Sequence, residues 1–381
     1  MKRETLMTIE ARPADDRSMP LSATLAWLVD AAAATPTPEL FLASLGQRLI
    51  EDGASLVGGA LTLASPHPLI ARRTWLWRAE SDEVVEALGF VAGAHSAMGA
   101  DGSAGDGRRW LAGLASGPAH EDVVGLAPDG PRLGWIGPRP FAPDKAEHLR
   151  EAARFAAAPL AALTARATLN AALEAYLGRR SAARVAAGSL RRGVGETIEA
   201  ALLFADLRGF TALSESSPPS EVIAALDAWF DRIAGSVHAF GGEVLKFIGD
   251  GVLAIFPVVG GSPRNACDAA LKAVAAARSG MAHLDEARAR EGLPPLPFGV
   301  ALHLGAMLWG NIGAADRLDF TAIGPAVNLV SRLEGLCRPL DKPVLVSGAF
   351  AAETGTALIP LGSHALRGIA APCAVFTVAE S

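Results

Sequence analysis

The 381-residue sequence predicts an α+β protein of two domains, and three observations carry that prediction. The length exceeds what a single hydrophobic core usually organises. Helix-like and strand-like hydrophobic periods both occur in the first half. From about residue 195 they alternate more clearly, in the order βαββαβ with later additions, which is the pattern of a ferredoxin-like sandwich. The expected division is a first domain over 21–158, a helical linker over 160–194 and a second domain over 195–381.

In the first section "PELFLASLGQRLIEDG" has helical spacing, with Leu40, Leu42, Leu45 and Leu49 recurring, while "RTWLWRA" alternates as a strand does. Its loops are rich in Gly, Ser and Pro, notably "GADGSAGDG" at 99–107. Trp75, Trp77, Trp110 and Trp135 could line a ligand pocket, although core packing is the commoner use of such rings. The linker reads as a helix with Ala162, Ala165, Leu169, Ala172 and Tyr176 at heptad a/d positions, followed by the basic joint "YLGRRSAARVAAGSLRRG". A dimer interface and an ordinary surface helix fit that seam equally well.

In the second domain, Ile198–Ala205 is an apolar strand ending in Asp206. An amphipathic helix over 220–240 follows, with Val222, Ile223, Leu226, Phe230, Ile233 and Val237 on one face and Ser220 as its cap. "LKFIGDGVLAIF" (245–256) is a hairpin whose Gly-Asp-Gly supplies the turn. A helix near 264–285 with Ser262 as cap, the strand "PFGVALHLG", a helix beyond Pro325 and the closing strand "CAVFTV" complete the order.

A formal net charge of −6 argues against a nucleic-acid binder or a polybasic membrane protein. Cys267, Cys337 and Cys373 are widely spaced and form no CxxC pair, so neither a disulfide framework nor a zinc site is expected. The N-terminal "MKRETLMTIEARPADDRS" lacks an apolar core of the secretory kind, and no run long enough to span a membrane occurs. A soluble, cytoplasmic protein is the expectation.

The hairpin raises a chemical question, because it carries Lys246 and Asp250 among residues that otherwise favour burial. In extended chain these positions stand about 13 Å apart, too far for an ion pair, so each needs its own partner. If the strand ending in Asp206 lies beside the hairpin, two carboxylates meet at one sheet edge and repel unless cations sit between them. Magnesium suits that role, because it takes oxygen ligands from one or two carboxylates plus substrate phosphates. The turn "DLRGFTAL" after Asp206 can present backbone N–H groups to phosphate. Beyond Pro325, Asn328 and Arg332 fall at i and i+4 on one helix face, and arginine suits charge developing on a phosphoryl group. Alone, Arg332 could equally pair with Glu334 or face solvent.

Together, "FADLRGFTALSE", "GGEVLKFIGDGVLAIF", "GVALHLGAMLWGNIGAADRLDFTAIGPAVNLVSRLE" and "LRGIAAPCAVFTV" resemble the class III nucleotidyl cyclases, the adenylate and guanylate cyclases, in order over 195–381. The resemblance implies that Asp206 and Asp250, with the carbonyl of Leu207, bind two Mg²⁺ or Mn²⁺ ions per active site. It implies that backbone from Arg208 through Gly209 and Phe210 to Thr211 cradles a triphosphate, with Arg367 as a loosely aligned phosphate contact. Lys246 and Thr321 match the base-reading positions, where Lys with Thr or Asp accompanies adenine and Glu with Cys accompanies guanine. A lysine can only donate, which suits the acceptor N1 of adenine. Asn328 would orient the ribose, and Arg332 would stabilise the pentavalent phosphorus.

Family members form head-to-tail dimers in which one chain supplies the metal-binding aspartates and the other the base-reading lysine. Lys246 and Asp250 would then be neighbours serving different sites. The implied activity is a homodimeric adenylate cyclase making 3′,5′-cyclic AMP and pyrophosphate from ATP. The alternatives are a guanylate cyclase or a non-catalytic nucleotide-binding or dimerisation module. "GGE" at 241–243 lacks the acidic continuation of a diguanylate cyclase. Two departures, Gly324-Pro325 for the usual Gly-Asp and His303-Leu304-Gly305 for His-Thr-Gly, replace no assigned group, and His303 reads as a packed strand histidine. The first domain weakly resembles the GAF-like regulatory domains that precede some bacterial cyclases, which implies a small-molecule or protein regulator.

Overall fold

The computed structural model describes residues 21–64, 70–90, 105–125, 130–188, 191, 193, 195–314 and 316–379. The N-terminal eighteen-residue stretch and most of the 99–107 loop, on which two of the expectations rest, lie outside them. The chain divides into two compact units, Met1–Ala171 and Ala172–Ser381.

The first unit contains α1 (Ala23–Asp30), α2 (Pro38–Glu51), β1 (Gly58–Ala64), β2 (Ile70–Arg78), β3 (Glu83–Phe90), α3 (Gly105–Leu114), β4 (His120–Val123), β5 (Arg132–Ile136), α4 (Pro143–Phe155) and the first part of α5 (Ala157–Leu177). Its five strands form an antiparallel sheet in the order β3-β2-β1-β5-β4. Thr37 caps α2 ahead of Pro38, and Phe41, Leu42, Leu45 and Leu49 pack inward, whereas Leu40 is exposed. Trp75, Trp77 and Trp135 are core residues, with Trp77 and Trp135 meeting edge to face at 6.3 Å. Two of these rings also satisfy their N–H groups, Trp75 Nε1 donating to Glu39 at 2.6 Å and Trp77 Nε1 donating to Asp82 at 2.8 Å. Trp110 packs in a smaller cluster under α3.

Along α5, Leu160 and Leu163 are buried in the first unit's core, and the expected heptad seam emerges beyond them, with Leu169 and Tyr176 exposed. The basic joint forms α6 (Arg179–Ala186). Arg180 and Arg184 both lie over the Trp309 ring, at 5.7 and 5.5 Å, and pair with Glu243 and Glu196 respectively.

The second unit continues with β6 (Gly195–Leu207), α7 (Phe210–Ser216), α8 (Pro219–Ala239), β7 (Glu243–Ile248), β8 (Gly251–Pro257), α9 (Pro263–Arg290) and β9 (Phe298–Gly313). The order β9-β6-β8-β7 in the sheet, with α8 and α9 as the two crossovers, is the expected βαββαβ sandwich. Beyond it come β10 (Leu318–Ile323), α10 (Pro325–Glu334), β11 (Val344–Ser347), α11 (Gly348–Ala351), β12 (Leu358–His364) and β13 (Cys373–Val378). They extend the sheet to β12-β13-β11-β9-β6-β8-β7, with β10 pairing the far end of β9. One face packs on α8 and α9, and the other on α10.

Three local expectations are corrected. Asp206 lies inside β6, paired with Gly299, because the ladder with β9 runs on through Leu207. α8 begins at Pro219 after Pro218, and Ser220 forms no cap. Its buried stripe is Ala225, Trp229, Ile233 and Val237, with Ile223 exposed. The large Trp229 ring takes the core position because its N–H also finds a partner there. Among the described residues, no helix is long and apolar enough to cross a membrane.

Candidate active site

The hairpin closes with Ile248 paired to Gly251, leaving Gly249 and Asp250 as a two-residue loop. Gly249 has φ +64°, the left-handed conformation that such a turn asks of its first loop residue. The turn meets the end of β6 directly: a Cβ on Gly251 would stand 3.1 Å from the Phe204 ring and 3.4 Å from Asp206 Oδ1. From the helical layer, Trp229 Nε1 donates to the Asp250 carbonyl at 2.9 Å and fixes the loop's height. The carboxyls of Asp206 and Asp250 are consequently close enough for each to feel the other's charge. Burial first, then the charge of Asp250, push Asp206 up to about 7.

A third carboxylate, Glu334 at the end of α10, reaches this cluster. Burial raises its pKa, the nearby Arg208 guanidinium opposes that rise, and the charge of Asp250 adds to it. The pairing of Arg332 with Glu334 considered from sequence is replaced by this inward placement. Gly299 makes room for it, since a Cβ there would lie 2.4 Å from Glu334 Oε1. Sequence reading missed Glu334's role in the cluster; the available signal was its position two residues beyond Arg332, on the opposite side of the helix. Arg208 Nη2 donates to the Lys342 carbonyl at 2.8 Å, and its backbone N–H donates to Pro297 O at 2.7 Å. That amide is therefore engaged within the fold, which leaves the Gly209–Thr211 stretch at the start of α7 as the open part of the expected cradle.

Lys246 is re-aimed by a register shift between Val244 and Lys246, a bulge in β7. Its ammonium pairs with Asp319 of β10, a partner that sequence spacing did not reveal. Thr321 is two residues further along the same strand, hence on the same face as Asp319. Asn328 and Arg332 are exposed on α10, whose Ala326, Val330 and Leu333 are buried. Arg367 is exposed in the β12–β13 connection, at the opposite edge of the sheet from the hairpin. His303 is buried and bonded through Nδ1 to Ser347 Oγ at 2.8 Å, and burial lowers it to about 4, which makes it a neutral packing residue.

Among the described residues, no group of three or more His, Cys, Asp or Glu forms a metal cage of its own. Two neighbouring carboxylates at the junction of β6 and the hairpin turn suit a hard cation that completes its shell with phosphate oxygens and water. The donor set at Asp206 and Asp250 thus fits Mg²⁺ or Mn²⁺.

Residues 194–350 match the adenylate and guanylate cyclase catalytic domain. They belong to the class III nucleotidyl cyclases. Adenylate cyclase 1 of Rhizobium meliloti (strain 1021) is 33% identical over 172 residues, 45% of this chain and 26% of that protein. The adenylate cyclase of Anabaena cylindrica is 30% identical over 159 residues, 41% of this chain and 30% of its own length. The chain thus spans about a third or less of these curated relatives. The structure of a bacterial light-regulated adenylyl cyclase superposes with a TM-score of 0.50 at 22% identity, over 68% of this chain and 85% of that one, and shows the shared fold. The hairpin, β6 and α10 all lie within the matched cyclase domain.

Proposed function

We propose that this chain is an adenylate cyclase that converts ATP into 3′,5′-cyclic AMP and pyrophosphate at a homodimer interface. The observation that carries the reading is the Asp206–Asp250 pair, held at the junction of β6 and the hairpin. In the reaction the ribose 3′-oxygen attacks the α-phosphorus in line and pyrophosphate leaves. Asp206, Asp250 and the Leu207 carbonyl are the residues that would hold the divalent ions. Two Mg²⁺ or Mn²⁺ ions bound there would assist both the attacking and the leaving oxygen.

The remaining roles belong to side chains. Lys246 donates to adenine N1, and Thr321 contacts the same base. Asn328 orients the ribose, and Arg332 neutralises charge developing on the phosphoryl oxygens. Gly209, Phe210 and Thr211 offer backbone N–H groups to the triphosphate, with the Arg208 side chain behind them. Arg367 is a peripheral phosphate contact. The exposure of Asn328 and Arg332 on α10 supports completion of the site by a second copy, as does the exposed Leu169 and Tyr176 seam, one heptad apart on α5. The first unit, read as a GAF-like module over 21–158 joined through 160–194 to a catalytic domain over 195–381, would regulate how the copies meet. Three free cysteines support a reducing, cytoplasmic setting.

Purified chain incubated with Mn²⁺ and either ATP or GTP tests the assignment. Cyclic AMP from ATP, in large excess over cyclic GMP from GTP, is expected. Predominant cyclic GMP would move the assignment to guanylate cyclase, and no cyclic product from either would overturn it.

A further inference from the structure

Strand β10 brings a carboxylate to the lysine assigned to base reading. Its pairing with β9 sets Asp319 opposite Ile312 and Thr321 opposite Gly310. The two residues therefore share one face of the strand, a two-residue step of about 7 Å apart. Phe320 and Ala322, on the other face, pack into the core that α10 covers. The bulge in β7 turns Lys246 toward β10, and its ammonium pairs with Asp319. Among the described residues, Lys246 makes no other ion pair or hydrogen bond.

With side chains 39% and 52% exposed, this pair adds little to the stability of the free protein. Its effect is on position, because it fixes the end of a flexible four-carbon stem at one point. An ammonium has three donors and no acceptor, so one N–H can stay on Asp319 while another reaches a purine N1. On the adenine edge a 6-amino donor adjoins the N1 acceptor, whereas guanine reverses both, with O6 accepting and N1–H donating. A carboxylate beside an ammonium offers an acceptor next to a donor. That order matches adenine and opposes guanine at both atoms. A base lying over the pair also displaces water, so the charges are screened less and the mismatch costs more.

We propose that Asp319 is a specificity-determining residue: by holding the Lys246 ammonium and setting a carboxylate beside it, it favours a 6-amino purine nucleotide over a 6-oxo one. The inference rests on the assignment of Lys246 to base reading and adds a third residue to Lys246 and Thr321. In acting through Lys246, Asp319 is a positioning residue.

Full-length Asp319→Asn and Asp319→Glu chains, assayed beside wild type with Mn²⁺ and a range of ATP or GTP concentrations, test the proposal. Asp319→Asn keeps the side chain's size and removes its charge. It should raise KM for ATP about tenfold, the worth of a charge-assisted hydrogen bond, while kcat changes less than about twofold. The preference for ATP over GTP in kcat/KM should fall about tenfold or more. Asp319→Glu, which restores a carboxylate, should recover most of both, and both variants should melt with wild type. An unchanged nucleotide preference in Asp319→Asn would overturn the proposal. So would a lowered KM for ATP, which would make the pair a contact that substrate has to break. A lower melting temperature in both variants with no recovery in Asp319→Glu would assign Asp319 to stability and overturn it as well. A wild-type chain without preference for ATP would overturn the base-reading assignment itself, whereas failure of the variants alone leaves that assignment standing.

Discussion

Asp206 is costly to the metal-free protein. Its folded pKa, about 7 against an ordinary 3.8, means that the native state holds a proton the unfolded chain releases. Stability therefore falls as pH rises from about 4 to about 7, the opposite of the usual salt-bridged carboxylate. The side chain is only partly buried, so water screens much of the penalty. A loss on the order of 1 kcal/mol, roughly 2–4 °C in melting temperature, is expected. In chelator-treated protein Asp206→Asn should remove this decline, and thermal melts across that pH range check it; equal slopes for the two proteins would contradict the account. His303 works in the other sense. Lowered to about 4 by burial, it contributes stability that is lost as pH falls from 6.5 toward 4. The two windows overlap between about 4 and 6.5 and have opposite signs, so the Asp206→Asn comparison is needed to separate them.

At the scale of elements, the site depends on α8 gripping the hairpin. Trp229 is fully buried and its N–H is spent on the Asp250 carbonyl. Trp229→Phe should keep most of the apolar packing but remove that bond, costing about 1 kcal/mol of stability. Cyclase turnover should fall more than ATP affinity, because the displaced loop carries Asp250 and not Lys246. Steady-state kinetics beside a thermal melt would show this, and an unchanged kcat with a raised KM would assign the bond to a different role. Helix α6 makes a comparable connection. Its Arg180 and Arg184 lie over Trp309, which is paired in register with Ala322, next to Thr321. The basic joint is thereby packed onto the strand pair that carries Thr321.

For the whole molecule, the placement of Asn328 and Arg332 on the exposed face of α10 makes the assembly part of the proposed chemistry. In the proposed twofold dimer each site would take its acidic pair from one copy and Lys246 from the other. Asp250→Ala and Lys246→Ala chains should each be inactive alone. A purified heterodimer of the two should regain up to about half of wild-type activity, because one of its two sites is then intact. An inactive heterodimer of verified composition would show that each site lies within one chain.

The sequence by itself determined the order βαββαβ, the two-residue hairpin and the family, because these rest on hydrophobic period, on glycine at a left-handed turn and on motifs at fixed spacing. It also placed Asn328 and Arg332 together, since a helix started at Pro325 fixes the i, i+4 relation. Tertiary structure decided what depends on neighbours distant in the chain. The sheet covers the α8 face through Ala225, Trp229, Ile233 and Val237, so Trp229 enters the core with its N–H bonded to the Asp250 carbonyl while Ile223, on another side of the helix, stays exposed. Asp319 became the partner of Lys246 only when β10 folded beside β7, 73 residues away. Glu121 of β4 takes hydrogen bonds from Arg108 of α3 and Arg132 of β5 because strand pairing and the packing of α3 bring three separated segments together, and no local pattern records that meeting.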